Sequence, residues 1–428
     1  MRRRTFLGHV AEVAGALALE GYFPRAALTK MPTFPDDASY EQDARSYWRE
    51  IRRQFPIPRD VIYLNNGTAG SSPLPVLKAM FDAYNEWEQM AGPLDRYPVW
   101  GYGPWNEFRD TLAAFIGASR DEVALLRNAT EGINYIANGV DLRSGDEVLI
   151  SDQDYLGEMA WNLRAKRYGI VVKKFELSKP TRDAAEILNR INDALTARTR
   201  VIFFSHITLI TGLVLPAKEI CSLARSKGII SAIDGAHVIG MMRLNVHDLG
   251  CDLYVSSPHK WLMAPKGTGF LYLRDDMIDR LWSTIATEGW DDLSLRAERF
   301  QRIGSASVPT LYGLRAAIDF ANKIGMDRIE QRHRTLCDRI HLEMVKRGCE
   351  SWTSPDAALR CGIAKFVLPK VDVLRLQKWM WDRHKIKIKV NDNPGSPELR
   401  MSMAYYLQSE EIDSFLDKFD EFWKKPGV

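Results

Sequence analysis

From Asp121 to Arg274 the chain repeats one unit: a short run of β-branched and apolar residues, a turn, then an amphipathic stretch with helical spacing. The runs are EVALLR, DEVLIS, IVVKKFEL, TRVIFFSH and IISAIDGA, followed by DLYVSS and GTGFLYLR. Helical stretches fall between most of them. The one over Pro216–Lys227 opens with proline and closes before Gly228, the expected asymmetry of a helix start and stop. Alternation of this kind predicts an α/β fold, with a mostly parallel sheet covered by helices on both faces. In such a sheet, ligands sit at the carboxyl ends of the strands.

Around this block the pattern changes. Residues 31–60 are rich in proline and charge, with a helix expected around Tyr40–Gln54, and read as an N-terminal arm. The large α/β domain is expected over 61–309. Beyond it, a long helical segment over Leu311–Arg347, the strands GIAKFVL and KIKIKV, and a last helix over Glu410–Lys424 predict a smaller α+β domain at 310–428. Residues 1–30 stand apart. Arg3-Arg4 followed by Thr5-Phe6-Leu7 and a mildly apolar stretch resemble a twin-arginine export signal, although Glu12 and Glu20 interrupt it. Export to the periplasm is the expectation, with a cytoplasmic protein carrying an amphipathic N-terminal helix as the alternative.

Composition excludes several classes. A net charge of +3 gives no electrostatic case for nucleic acid or an anionic membrane. No run approaches the roughly eighteen apolar residues of a membrane span. The cysteines, Cys221, Cys251, Cys337, Cys349 and Cys361, are odd in number and lack CxxC spacing, which argues against a zinc site or a disulfide framework. No G-x-G-x-x-G follows the first strand, so a nicotinamide-dependent enzyme is disfavoured.

The stretch CDLYVSSPHKWLMAPKGTGFLYLR, Cys251 to Arg274, places Ser257, His259 and Lys260 between two strands, where a bare ammonium is costly to bury. Asp234 ends the strand IISAID at the ligand-bearing edge, and His237 follows three residues on. NATEGIN, Asn128 to Asn134, comes just after EVALLR at an expected helix N-terminus, where Thr130 and free backbone N–H groups suit a phosphate. A phosphate seat, an acid, a histidine and a lysine together make sense as a holder of pyridoxal phosphate.

With these motifs the chain resembles the class V aminotransferases, fold-type I pyridoxal-phosphate enzymes, in the branch of isopenicillin N epimerase-like proteins. The likeness runs from YLNNGTAGSSP (Tyr63–Pro73) to ELRMSMAYY (Glu398–Tyr406), and its most specific part is S-x-H-K followed by PKGTGF. The resemblance implies that Lys260 forms the imine with the cofactor aldehyde and later moves the substrate proton. It implies that Asp234 pairs with the pyridinium nitrogen and that His237 meets the cofactor 3′-oxygen. Ser257, His259, Thr130 and the amide of Ala129 would hold the phosphate, joined by Ser305 in RIGSASVP from the other subunit of a homodimer. Tyr155 in SDQDYLGEMAW would stack on the ring. Arg400 would clamp the substrate carboxylate, a task suited to its planar fork, with Asn66 lining the same mouth.

Two departures from the family pattern bear on the reaction. Leu209 in SHITLITG stands where many relatives carry an asparagine that contacts the 3′-oxygen, leaving that contact to His237. No cysteine lies between Asp382 and Arg400, so a desulfurase is not expected. The expected substrate is a small molecule, an amino acid or an amino-acid-containing metabolite, attacked at its α-carbon. Transamination is the expected outcome; epimerisation and C–S or β-elimination are the alternatives. If export holds, tailoring of a secreted metabolite such as a siderophore would fit. A non-catalytic cofactor-binding protein is the rival class, disfavoured by the presence of Lys260, Asp234 and Arg400 together.

Overall fold

The structure is a computed structural model and describes residues 31–89, 105–393 and 396–424. The suspected export segment lies outside the described residues. Seven strands form the large sheet: β2 (Val123–Leu126), β3 (Glu147–Ser151), β4 (Val171–Phe175), β5 (Thr199–Ser205), β6 (Ile230–Asp234), β7 (Leu253–Ser256) and β8 (Gly269–Leu273). Their order is β2-β8-β7-β6-β5-β3-β4. The pairs β4–β3, β3–β5, β5–β6 and β6–β7 are parallel, and β8 runs antiparallel between β7 and β2. Alternate residues of each strand feed opposite cores. Val201 and Phe203 pack on one face of the sheet, Ile202 and Phe204 on the other, all fully buried. Each such phenylalanine contributes on the order of 1.5–3 kcal/mol, so a strand apolar on both sides has no stable place at a wet surface. The predicted mostly parallel, doubly covered sheet is what forms.

A second, four-stranded antiparallel sheet carries the C-terminal part. It is ordered β12 (Lys389–Asn393), β13 (Ser396–Ser402), β10 (Ile363–Val367) and β9 (Glu350–Ser351). Two short strands, β1 (Ile62–Tyr63) and β11 (Ile386–Lys387), pair in parallel with Ile62 opposite Ile386. An isolated bridge joins Asn65 to Ser402. The segment that opens the expected large domain is therefore stitched to the C-terminal sheet.

Three local readings are corrected. The helix expected over Leu311–Arg347 is two helices, Val308–Ile324 and Met326–Lys346, because Gly325 adopts φ 91° and breaks the ladder between them. The helix around Tyr40–Gln54 is likewise two, Asp37–Gln42 and Ala44–Arg53, the second started by the Asp43 carboxylate accepting from the amides of Arg45 and Ser46. KIKIKV is not one strand: the Ile388 carbonyl accepts from Gln377 Nε2 at 2.9 Å, and the chain passes there from β11 to β12 in another sheet. The Ala44–Arg53 helix is no loose arm. Tyr47, Trp48 and Ile51 are buried, Phe55 lies 4.4 Å from the ring of Tyr406, and Arg52 pairs with Glu411 at 3.3 Å.

Candidate active site

The candidate residues converge where β5, β6 and β7 end. Asp234 is the last residue of β6, and its carbonyl accepts from the His206 amide at 2.9 Å. Its Oδ1 accepts from the Ala236 amide at 2.9 Å, and among the described residues Oδ2 has no hydrogen bond. Burial pushes this carboxyl upward, opposed by the charge of Lys260 and by the Ala236 amide. Lys260 follows β7. Burial lowers its pKa, and Asp234 works in the opposite direction. Desolvation therefore drives both groups toward neutrality, and a free amine is the form that adds to a carbonyl. Lys260 Nζ has no hydrogen-bond partner among the described residues. The neighbouring Lys266 differs, since its ammonium donates to the Gly70 carbonyl at 2.5 Å beside an apolar groove lined by Tyr63, Leu77 and Met80.

The loop carrying Lys260 is held from several sides. The Lys260 amide donates to Ser257 O at 3.0 Å, Gly70 N donates to His259 O at 3.0 Å, and Ser72 Oγ donates to Ala264 O at 3.1 Å. Asn66, fully buried, donates through Nδ2 to the Lys260 carbonyl at 3.2 Å. A Cβ at Gly70 would lie 2.0 Å from that carbonyl oxygen, so only glycine lets the two segments meet. This support holds Met263 in the left-handed region at φ 60°, a conformation that costs roughly 1–3 kcal/mol and persists only where its surroundings enforce it.

The residues expected to hold a phosphate lie around one helix start. The helix Ala129–Gly139 is capped by Asn128, whose side chain accepts from the Glu131 amide at 2.9 Å. The Ala129 amide is committed to Ser257 Oγ at 2.9 Å, which leaves the Thr130 hydroxyl exposed at the helix start. His259 donates through Nδ1 to the Thr268 carbonyl at 2.9 Å, and its pKa is lowered, chiefly by burial. Its Nε2 has no partner among the described residues. Tyr155 opens the helix Tyr155–Tyr168, and its side chain lies outside the described residues. Ser305 is exposed on the loop before Val308–Ile324.

The mouth is built from distant segments. Arg400 of β13 is 5% exposed and donates to Asn65 Oδ1 at 3.2 Å and Thr68 Oγ1 at 2.9 Å. Burial pulls its pKa down to about 10. Among the described residues, Arg400 Nε, Ser402 Oγ and Asn66 Oδ1 are buried polar atoms without a partner. Such orphans are costly unless a ligand satisfies them. With the free Oδ2 of Asp234, the unpaired Lys260 and the exposed Thr130 hydroxyl at the helix start, they fit a ligand bearing a ring nitrogen, an aldehyde and a phosphate, next to a substrate carboxylate.

Several supporting residues were not read from the sequence. Asp154, 1% exposed, accepts from the amides of Ser151 and Ser205 at 2.7 Å each, tying the Tyr155 turn to the ends of β3 and β5. Burial pushes its carboxyl up to about 6. Trp261 donates through Nε1 to His237 Nδ1 at 3.0 Å. Asn65 and Thr68 orient Arg400. For Asp154 and Trp261 a signal was available: each adjoins a residue already singled out, Tyr155 and Lys260.

Comparisons with known proteins agree with this geometry. The model of the aminotransferase class-V family matches residues 62–415. Isopenicillin N epimerase of Streptomyces clavuligerus is 32% identical over 87% of this chain and 98% of its own. A probable cysteine desulfurase of Methanothermobacter thermautotrophicus is 27% identical over 87% of this chain and 97% of its own. Among solved structures, a cysteine desulfurase from Thermococcus onnurineus in its apo form superposes with a TM-score of 0.78 at 22% identity, covering 92% of this chain and 100% of that one. The lysine loop, the acid at the end of β6, the fold and the family match lead to one conclusion: the chain belongs to the aminotransferase class-V family of fold-type I pyridoxal-phosphate enzymes.

Proposed function

We propose that this pyridoxal-phosphate enzyme removes the α-proton of an amino acid, or of the amino-acid end of a larger metabolite, and that the same carbon is reprotonated on its opposite face, so that the protein acts as an epimerase. The likeness to isopenicillin N epimerase supports this branch. The observation that carries it against sulfur transfer is the state of the thiols. All five cysteines are buried. Cys361, the nearest to the mouth in sequence, donates to the Gly212 carbonyl at 3.2 Å, and burial pushes its thiol up to about 12. A thiol so placed is a poor sulfur acceptor, so the desulfurase relatives lend their fold and not their reaction.

When bound, pyridoxal phosphate supplies an aldehyde that takes up the substrate amine and a ring that spreads the negative charge left at the α-carbon. The residues here do the rest. Lys260 Nζ, unpaired and biased toward the free amine, takes the α-proton from one face of the carbon, and a proton delivered to the opposite face completes the inversion. Asp234 holds a positive charge on the ring nitrogen. Arg400 grips the substrate carboxylate, and Asn65 and Thr68 fix the direction of its fork. Thr130, Ser257 and His259 hold the phosphate end.

Transamination is the second reading, favoured by Lys260 being a single base able to move a proton between two neighbouring carbons. The test is to incubate purified holoprotein with a panel of amino acids in deuterium oxide. Exchange at the α-carbon with stereochemical inversion and no keto acid is expected. Stoichiometric keto acid would install transamination instead, and neither signal from any substrate would retire both.

We also propose that the chain acts as a homodimer, with the exposed Ser305 reaching the partner's phosphate seat, and that Arg3-Arg4 directs it to the periplasm. A monomeric mass in light scattering would remove the first idea. An uncleaved, purely cytoplasmic protein in fractionated cells would remove the second.

A further inference from the structure

We infer that Trp261 is a positioning residue: its indole N–H locks His237 as the Nε2–H tautomer, so that the histidine presents a donor, and not a lone pair, toward the cofactor ring oxygen. The inference rests on the cofactor reading above. Indole nitrogen only donates, so the 3.0 Å contact makes Nδ1 of His237 the acceptor. His237 is 5% exposed, and its pKa lies well below the ordinary range, first through burial and then through the charges of Lys260 and Arg400. A neutral imidazole carries one N–H, and with Nδ1 accepting, that proton sits on Nε2. Among the described residues Nε2 has no partner.

The indole cannot easily turn away. Trp261 is fully buried, edge-on to His333 with ring centroids 5.1 Å apart. Gly362 lies so close that a Cβ there would be 3.0 Å from Trp261 Cζ3. His333 is held in turn by its Nδ1 donating to the Met241 carbonyl at 3.1 Å. Leu209 stands where the family resemblance places an asparagine on the ring oxygen, and its side chain has no donor, which leaves His237 as the donor whose direction matters. Without the indole, either tautomer would be open to the histidine, and one of the two would set a lone pair against an oxygen anion.

The test has two parts. In apoprotein labelled with 15N-histidine, the nitrogen shifts of His237 near neutral pH should report Nε2–H in the native chain and a mixture in Trp261→Phe. A native His237 carrying its proton on Nδ1, or on both nitrogens, would overturn the inference without need of any variant, as would a Phe variant with an unchanged tautomer. In protein loaded with pyridoxal phosphate, the pH titration of the visible cofactor band should move by about one unit in Trp261→Phe, the size of one hydrogen bond. Adding Trp261→Phe to His237→Phe should move it no further; an undiminished second shift would show that the indole acts by another route. A tautomer fixed as expected in protein that takes up no pyridoxal phosphate would overturn the donor role and, separately, the cofactor reading.

Discussion

The two sides of the cleft are built on different plans. The proposed cofactor side rests on the large sheet: Asp234 ends β6, Lys260 follows β7, and Thr130 sits at a capped helix start. Some of its supports are local, such as Ala236 N to Asp234 Oδ1 and Lys260 N to Ser257 O, and the lysine loop is braced from farther off by Gly70, Ser72 and Asn66. The substrate side is made of side chains brought together across almost the whole chain, with Arg400 bonded to Asn65 and Thr68. A cofactor of constant shape can be served by local motifs. A substrate carboxylate needs an arginine whose fork is aimed by whatever the tertiary fold delivers. The lesson is that cofactor identity is written locally and substrate identity is not.

If the two sides are separable, their variants should fail differently. Lys260→Ala should lower turnover by about a thousandfold or more, as expected for loss of a positioned base, and should abolish borohydride trapping of the cofactor on the chain. Peptide mapping that finds the trapped cofactor on Lys266 instead would break the assignment. Arg400→Lys should keep the trapped cofactor and raise KM roughly 10- to 100-fold, the scale of a lost charge-assisted pair. Loss of cofactor in that variant would mean that the sides are not separable.

Acid provides a smaller and more even challenge. Burial holds His206, bonded through Nδ1 to Tyr254 on the cofactor side, down to about 4, and His333, beneath the C-terminal sheet, down to about 3. Both stay neutral in the fold while the unfolded chain takes up protons below about pH 6.5. Stability is therefore full above that pH and falls on acidification, by up to about 1.4 kcal/mol per pH unit for each histidine, until the folded values are reached. Urea midpoints measured between about pH 7 and pH 5 should show this slope, and His333→Asn should flatten it by one proton. An unaltered slope in that variant would remove His333 from the account.

The legibility of the chain follows the same divide. All seven strands of the large sheet were predicted. The inner ones are legible because a strand buried on both faces must be apolar along its length, as Val201 to Phe204 are. The edge strand β4 carries Lys173 and Lys174 and shows only by its β-branched start. Asp234, His237, Ser257 and Lys260 could be named because each lies within a few residues of a strand end. β11 is merged with β12 in the single expected strand KIKIKV, and β1, two residues long and paired only through tertiary proximity, has no strand signal of its own. The roles of Asn65, Thr68 and Trp261 were hidden for the same reason, since each shows its function only through a partner distant in sequence. Gly325 could have warned of the helix break, but isolated glycines inside helical spacing are common enough to be read through.

The register of Ile62 with Ile386, and of Asn65 with Ser402, carries a consequence for biosynthesis. A ribosome finishes the large sheet long before it releases the residues that close the cleft. A nascent chain could own a complete lysine loop and still be unable to grip a substrate. Termination between Leu273 and Arg400 would thus leave the lysine loop without the arginine of the mouth, and competence would arrive only in the last moments of synthesis.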